Sequence, residues 1–127
     1  MFTSYFGKIK GQAERELLDL ANSIPSLDVI SVRPGGVDCS GHPEVAEAVK
    51  QRRSSLGVRA LEYAIPVFRA LMPSMMSPTR DLGKFLADLA LRLDWHPKGP
   101  GIEEDGGIVN NAGFLRLVRE ENAKSEL

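Results

Sequence analysis

The first third of the chain reads as an amphipathic helix, a short apolar run and a glycine-containing loop, in that order. The spacing predicts a helix over residues 4–22, with one apolar stripe formed by Phe6, Ile9, Ala13, Leu17 and Leu20. Residues 27–32 are rich in β-branched side chains and predict a strand covered on both faces, as in a parallel sheet. The loop Pro34-Gly35-Gly36 follows, at the strand end where open α/β sheets bind ligands.

The rest of the chain is predicted to be mainly helical. We expect helices over residues 44–53 and 58–72, with a break at Pro66, which lacks a backbone donor. Thr79 is placed to cap a third helix whose first turn contains Asp81.

The C-terminal part is predicted to contain a loop, a very short strand and a last helix. Residues 96–107 are rich in glycine, proline and acidic residues, which is typical of an exposed loop. Residues 108–109 are apolar and β-branched and could form a very short strand. Asn111 is expected to cap a helix that runs through Asn122.

The strand predicted at residues 27–32 needs neighbours. An isolated buried strand leaves backbone donors and acceptors unpaired, which costs stability. The sequence shows no second strand of comparable strength, so we expect that part of an α/β domain is missing from this chain.

Composition excludes several functional classes. The 127 residues fit one domain, and a net charge of −1 with 6% aromatic residues gives no electrostatic or stacking basis for nucleic-acid binding. The most apolar region, residues 56–76, contains charged residues and two prolines, which disfavours a membrane span. No signal peptide is visible, and the single Cys39 favours a reducing, cytoplasmic compartment.

Cys39 is also a weak candidate for chemistry. It lies three residues before His42, with Asp38 nearby, and this set is too small to close a zinc site. We therefore predict no metal, and no base partner marks Cys39 as a nucleophile.

Two segments carry a family resemblance: Phe6-x-x-x-Lys10-Gly-x-Ala-Glu14, and Arg33-Pro34-Gly35-Gly36 after the predicted strand. Together they resemble the short-chain dehydrogenase/reductase superfamily, above all its extended and atypical, nucleoside-diphosphate-sugar epimerase-like members. That family has a Tyr-x-x-x-Lys pair on one helix face, in which the lysine lowers the pKa of the tyrosine for proton transfer. Lys10 matches the lysine, whereas Phe6 stands at the tyrosine position and has no proton to give.

The resemblance implies a cofactor site without a catalytic residue. Lys10 would hold the nicotinamide ribose of NAD(P), and the backbone of Pro34, Gly35 and Gly36 would line the nicotinamide ring. Residues 77–83 and 111–117 also resemble family segments, more loosely. The glycine-rich turn that receives the pyrophosphate is absent from the sequence.

The resemblance also implies a fold and a domain division. The predicted fold class is α/β, a partial Rossmann-type arrangement that is predominantly helical. Residues 1–37 would be the C-terminal part of a dinucleotide-binding domain, residues 38–123 a mostly helical substrate-side region, and residues 124–127 a frayed tail.

Three functions follow from these observations. The first is an NAD(P)-binding epimerase- or reductase-like protein with a small-molecule substrate, lacking the pyrophosphate-binding half and without independent catalysis. The second is a non-catalytic module that senses a dinucleotide or docks on a protein. The third is an unrelated small helical interaction domain, with residues 27–32 as a core segment. The expected partners are a missing N-terminal half or, through an exposed strand edge, a second copy.

Overall fold

The computed structural model describes residues 5–39, 41–45, 48, 66–67, 70–92 and 95–125. The elements whose bounds lie within these residues are three helices and five short strands: α1 (Tyr5–Ser23), β1 (Ser31–Arg33), β2 (Gly36–Asp38), β3 (Met76–Pro78), α2 (Thr79–Leu91), β4 (Ile102–Glu103), β5 (Ile108–Asn110) and α3 (Asn111–Ser125). Short 3-10 turns at Pro73–Met75 and Glu104–Gly106 precede β3 and β5. The described part of the chain is thus mixed α/β and mostly helical, which confirms the predicted α/β, predominantly helical class.

A three-stranded sheet has the order β1-β5-β4. β1 and β5 are parallel, with Ser31 opposite Ile108 and Arg33 opposite Asn110, and β4 is antiparallel to β5. The expectation that the chain supplies no neighbour for its strand is therefore wrong. The observed strand β1, Ser31–Arg33, is also shorter than the predicted strand at residues 27–32 and begins later in the chain. Such three-residue strands gain their stability from pairing, so their sequence signal is weak.

A second sheet of two strands pairs β2 with β3, the strand that directly precedes α2. β2 and β3 are parallel, with Gly36 opposite Met76 and Asp38 opposite Pro78. The Thr79 hydroxyl donates a hydrogen bond to the Asp38 carbonyl oxygen at 2.8 Å. Thr79 therefore does not cap α2 as predicted; it joins β2 to the first turn of the helix, and Pro78 holds the cap position.

Helices cover both faces of the three-stranded sheet. Side chains alternate between the faces of a strand, so Val32 and Val109 point together into the core formed with Phe85 and Phe114 of α2 and α3. The two phenyl rings meet edge to face with centroids 5.3 Å apart. Ser31 and Arg33 point to the opposite face, where their side chains bond to Glu14 of α1.

The apolar stripe of α1 is exposed, whereas the apolar stripe of an amphipathic helix ordinarily faces the core. Phe6 keeps 67% of its surface, and α1 contains no buried residue. The less exposed side of the helix is a different stripe: Gly7, Gly11, Glu14, Leu18 and Ala21. Leu18 packs against Gly107, where an added Cβ would lie 3.0 Å from Leu18 Cδ2. Polar pairing of Glu14 with β1 selects this side, and helical periodicity cannot reveal that pairing.

Two C-terminal predictions also change. Asn110, not Asn111, caps α3, because its Oδ1 accepts the Gly113 N–H at 3.1 Å. The predicted exposed loop at residues 96–107 contains β4 and the buried residues Pro97, Gly106 and Gly107. The predicted strand at residues 108–109 is confirmed as the start of β5.

The helices predicted over residues 44–53 and 58–72 lie mostly outside the described residues. Pro66 and Val67 are helical, and the residues before Pro66, where a break could begin, lie outside the described part. Pro43, Glu44 and Val45 are helical, as expected for the start of the first of these helices. In the part that the structure describes, no helix combines the length and apolar character that a bilayer crossing requires.

Candidate functional site

The carboxyl ends of β1 and β5 lie at the same edge of the sheet. β1 is followed by Pro34 and Gly35, and β5 runs directly into α3 at Asn111. Because Arg33 lies opposite Asn110, the loop and the helix start are side by side. The Gly35 N–H donates to Asn111 Oδ1 at 3.0 Å. This edge is the usual ligand-binding position of a parallel sheet.

Gly35 is the anchor of the loop. A Cβ at this position would lie 2.1 Å from the Met75 carbonyl oxygen, so only glycine fits. Its N–H also donates to the Ser77 hydroxyl at 3.0 Å. Because the Gly35 N–H already has protein acceptors, it is poorly placed to donate to a cofactor.

Pro34 and Gly36 are the exposed members of the loop. Gly36 begins β2, and a Cβ there would lie 3.1 Å from Met76 Sδ. The flexible Met76 side chain can move by the few tenths of an ångström that such a Cβ requires, so a small side chain at position 36 could be accommodated. Of the three loop residues predicted to line a cofactor, these two have the accessibility to do so.

Lys10 lies near the same end of the sheet. Glu14 bonds to Ser31 and Arg33, while Leu18 packs at Gly107, the residue before β5. α1 therefore runs antiparallel to β1, and Lys10, one turn before Glu14, lies toward the carboxyl end of β1. The exposed Lys10 ammonium lies over the Phe6 ring, 4.7 Å from its centroid.

Glu14 and Arg33 set the position of α1 on the sheet. Arg33 Nε donates to Glu14 Oε1 at 3.0 Å and Oε2 at 3.1 Å, and the Ser31 hydroxyl donates to the same carboxylate. The Arg33 hydrogen bond is the main reason that the pKa of Glu14 lies below its usual value, and Glu14 raises the pKa of Arg33. Arg33 also contacts Glu103 Oε2 at 3.3 Å. Sequence reasoning named both residues but could not pair them, because they lie on different elements.

A cavity of about 840 Å³ lies beneath α1, between the helix and the β4 side of the sheet. About half of its lining residues are charged, and acidic residues outnumber basic ones: Glu14, Asp19, Asp28, Glu103, Glu104 and Asp105 against Arg15 and Arg33. Glu104 and Asp105 have positive φ angles of 49° and 52°, which non-glycine residues seldom adopt. Sequence reasoning missed this cavity, since its lining comes from four separate segments.

The residues near Cys39 form a local turn. The His42 N–H donates to the Cys39 carbonyl oxygen at 3.0 Å, and His42 Nδ1 lies 2.8 Å from Glu44 Oε1. Among the described residues, no three His, Cys, Asp or Glu side chains are arranged to hold a metal ion.

Comparison with known proteins gives one informative match. The chain is 35% identical over 121 residues to the protein named Botcinic acid biosynthesis cluster B protein 16 of Botryotinia fuckeliana (strain B05.10). The alignment covers 92% of this chain and 75% of that protein. No protein-family model matches the chain, and no solved structure matches it. At this identity and coverage, the chain belongs to the family of the Botcinic acid biosynthesis cluster B protein 16.

Proposed function

We propose that this chain is the nicotinamide-facing part of an NAD(P)-binding protein of the short-chain dehydrogenase/reductase type, without catalysis of its own. The observation that carries the proposal is the position of the Pro34-Gly35-Gly36 loop. It follows the carboxyl end of a parallel strand, at the edge toward which the Lys10 end of α1 extends. That is the edge at which α/β sheets bind nucleotides.

The residues present fit one half of such a cofactor. Pro34 and Gly36 are exposed and offer close backbone approach, and Lys10 offers an exposed ammonium for ribose hydroxyls. Gly35 instead anchors the loop to the protein, through its N–H hydrogen bonds to Ser77 and Asn111. In the described residues, β3 and β5 run directly into their helices without a glycine-rich turn, so the pyrophosphate has no comparable cradle.

The free edge of β1 supports completion by a further α/β unit. The Ser31 N–H donates to the Gly107 carbonyl oxygen, so Ser31 and Arg33 direct their backbone groups toward β5. By alternation, Val32 directs its N–H and C=O to the other edge, where no strand pairs within the described residues. The exposed apolar stripe of α1 is also available to such a unit. We propose that the unit supplies the adjacent strand and the pyrophosphate-binding turn.

We propose a small organic molecule as the substrate of the completed protein, covered by residues from the 38–123 region. The matched relative is named for a biosynthesis cluster, which supports that class. The cytoplasm is the proposed compartment, on the basis of the single Cys39.

A non-catalytic dinucleotide-sensing module is the second candidate. Phe6 favours it, because the ring contacts Lys10 and cannot transfer a proton. The completed protein with Phe6→Tyr distinguishes the two: gained reductase or epimerase turnover indicates a decayed enzyme, and unchanged inactivity indicates a binding module. The third candidate is an unrelated small helical interaction domain with residues 27–32 as a core segment; the pairing of Ser31 and Val32 within β1 favours the first two candidates over it.

The direct test is an NMR titration of the chain with nicotinamide mononucleotide, and separately with AMP. The proposal predicts weak binding of the first, with amide shifts at Gly36 and on α1 near Lys10, and none of these shifts with AMP. Lys10→Ala should weaken binding several-fold, whereas Lys8→Ala, on the same helix, should not. Equal shifts with both nucleotides, or none with either, would reject the site.

A further inference from the structure

Asn111 connects three separate segments through one side-chain amide. Its Oδ1 accepts the Gly35 N–H at 3.0 Å and the Ser77 hydroxyl at 2.5 Å. Its Nδ2 donates to the Ser74 carbonyl oxygen at 2.7 Å. The amide orientation is chemically consistent, since the oxygen faces two donors and the nitrogen faces an acceptor.

Ser77 completes this network inside the protein. The residue is fully buried, and its hydroxyl accepts from the Gly35 N–H while donating to Asn111 Oδ1. Removing Asn111 leaves the buried Ser77 hydroxyl without its acceptor, which is costly, and takes one of two acceptors from the Gly35 N–H. Removing Ser77 likewise leaves the Gly35 N–H with Asn111 alone.

The same network acts on one residue of the proposed binding loop and leaves its neighbours accessible. Gly35 is held through its N–H, and a Cβ at this position would lie 2.1 Å from the Met75 carbonyl oxygen. Pro34 and Gly36, on either side, are exposed. Fixing the central residue fixes the direction in which the two flanking residues present their backbone.

We infer that Asn111 is the positioning residue of the Pro34–Gly36 loop, and that it sets the geometry in which Pro34 and Gly36 meet a nicotinamide nucleotide. This inference rests on the proposed function. Asn111 itself does not touch the ligand; it acts through Gly35, with Ser77 as its buried support. Its place as the first residue of α3, directly after β5, links the ends of both parallel strands to the loop.

The first experiment measures amide hydrogen exchange at Gly35 in the ligand-free chain. Asn111→Ala and Ser77→Ala should each lower the protection of Gly35 at least tenfold. Asn122→Ala, an exposed asparagine on the same helix, should leave it unchanged. Unchanged protection of Gly35 in Asn111→Ala would overturn the inference, whatever the chain binds.

In the variant Asn111→Asp, low pH should restore the hydrogen bonds that the asparagine amide makes. A neutral carboxyl has one acceptor and one donor, as the amide does, whereas the carboxylate would face the Ser74 carbonyl oxygen without a proton. Gly35 protection, corrected for intrinsic exchange rates, should be near wild type in acid and fall as the carboxyl ionises. Asn122→Asp at the same pH values is the control. Protection independent of pH in Asn111→Asp would contradict the bonding scheme.

The second experiment separates positioning from general stability. Asn111→Ala should weaken the binding of nicotinamide mononucleotide at least tenfold at a temperature well below its Tm. Phe85→Leu, a core substitution at a residue that takes no part in these hydrogen bonds, should lower Tm without that loss of affinity. Equal affinity of Asn111→Ala and wild type would refute the positioning role. Failure of the wild-type chain to bind the nucleotide would reject the proposed function instead, and Gly35 exchange would still decide whether Asn111 holds the loop.

Discussion

Arg33 and Glu14 join α1 to β1 through a bidentate contact, in which Arg33 Nε donates to Glu14 Oε1 at 3.0 Å and Arg33 Nη2 donates to Glu14 Oε2. The contact lies on the sheet face that a buried parallel sheet would ordinarily fill with apolar side chains. It determines which side of α1 faces the sheet, and hence leaves the apolar stripe of the helix outward. It also fixes the end of α1 that contains Lys10 relative to the loop that follows Arg33.

The Glu14–Arg33 pair predicts an acid-dependent loss of stability. The pKa of Glu14 is lowered in the folded chain, chiefly by the Arg33 hydrogen bond. The contribution of ionised Glu14 to the free energy of unfolding is therefore complete above the ordinary carboxyl pKa of about 4.5. It declines as the pH falls through the lower pKa that Glu14 has in the folded chain. Glu14→Gln should cost about 1 kcal/mol at pH 7 and less in acid, measured by urea unfolding across pH.

The matched control for this pair is Glu16→Gln. Glu16 lies on the same helix and is exposed, where it accepts a hydrogen bond from Gln12. Glu16→Gln should change the free energy of unfolding by less than about 0.5 kcal/mol. A Glu14→Gln variant as stable as the Glu16→Gln variant at pH 7 would contradict the role given to the pair.

Gly35→Ala should destabilise the fold by about 2–3 kcal/mol, because the new methyl group would overlap the Met75 carbonyl oxygen. Gly83→Ala is the comparison. Gly83 lies within α2, and a Cβ there meets no atom within 4 Å, so alanine should stabilise by up to about 1 kcal/mol. Thermal unfolding of both variants measures the difference, and equal effects would show that Gly35 is not clamped.

Two phenylalanine substitutions distinguish the buried core from the exposed stripe of α1. Phe114 is completely buried, so Phe114→Ala should cost about 3–5 kcal/mol. Phe6 is 67% exposed, and Phe6→Ala should cost less than about 0.5 kcal/mol in the isolated chain. A large destabilisation by Phe6→Ala would mean that the stripe of α1 is packed against part of the protein.

Local elements were predictable where they depend on short-range periodicity. The helix expected over residues 4–22 is α1, Tyr5–Ser23, because a 3.6-residue pattern needs no knowledge of the rest of the fold. The side that it buries was not predictable, since that depends on Arg33. β4 was missed because two residues, Ile102 and Glu103, carry no recognisable period.

The proposed site was only partly visible in the sequence for the same reason. Pro34, Gly35 and Gly36 stand out as a loop, but the distinction between the clamped Gly35 and its exposed neighbours depends on Ser77 and Asn111, which lie 42 and 76 residues further along the chain. The adjacent Asn110 and Asn111 were indistinguishable as helix caps. In the structure Asn110 caps α3, and Asn111 is thereby available to hold the loop.

The central claim, a half-site for a nicotinamide nucleotide, is tested most directly by comparing two dissociation constants for this chain. Calorimetry or NMR would measure the Kd of nicotinamide mononucleotide and of NADPH under identical conditions. The account predicts that both bind weakly, with Kd values near the millimolar range and within a few-fold of each other, because no residue described here receives the pyrophosphate. Micromolar binding of NADPH by the chain alone, or no binding of either nucleotide, would contradict it.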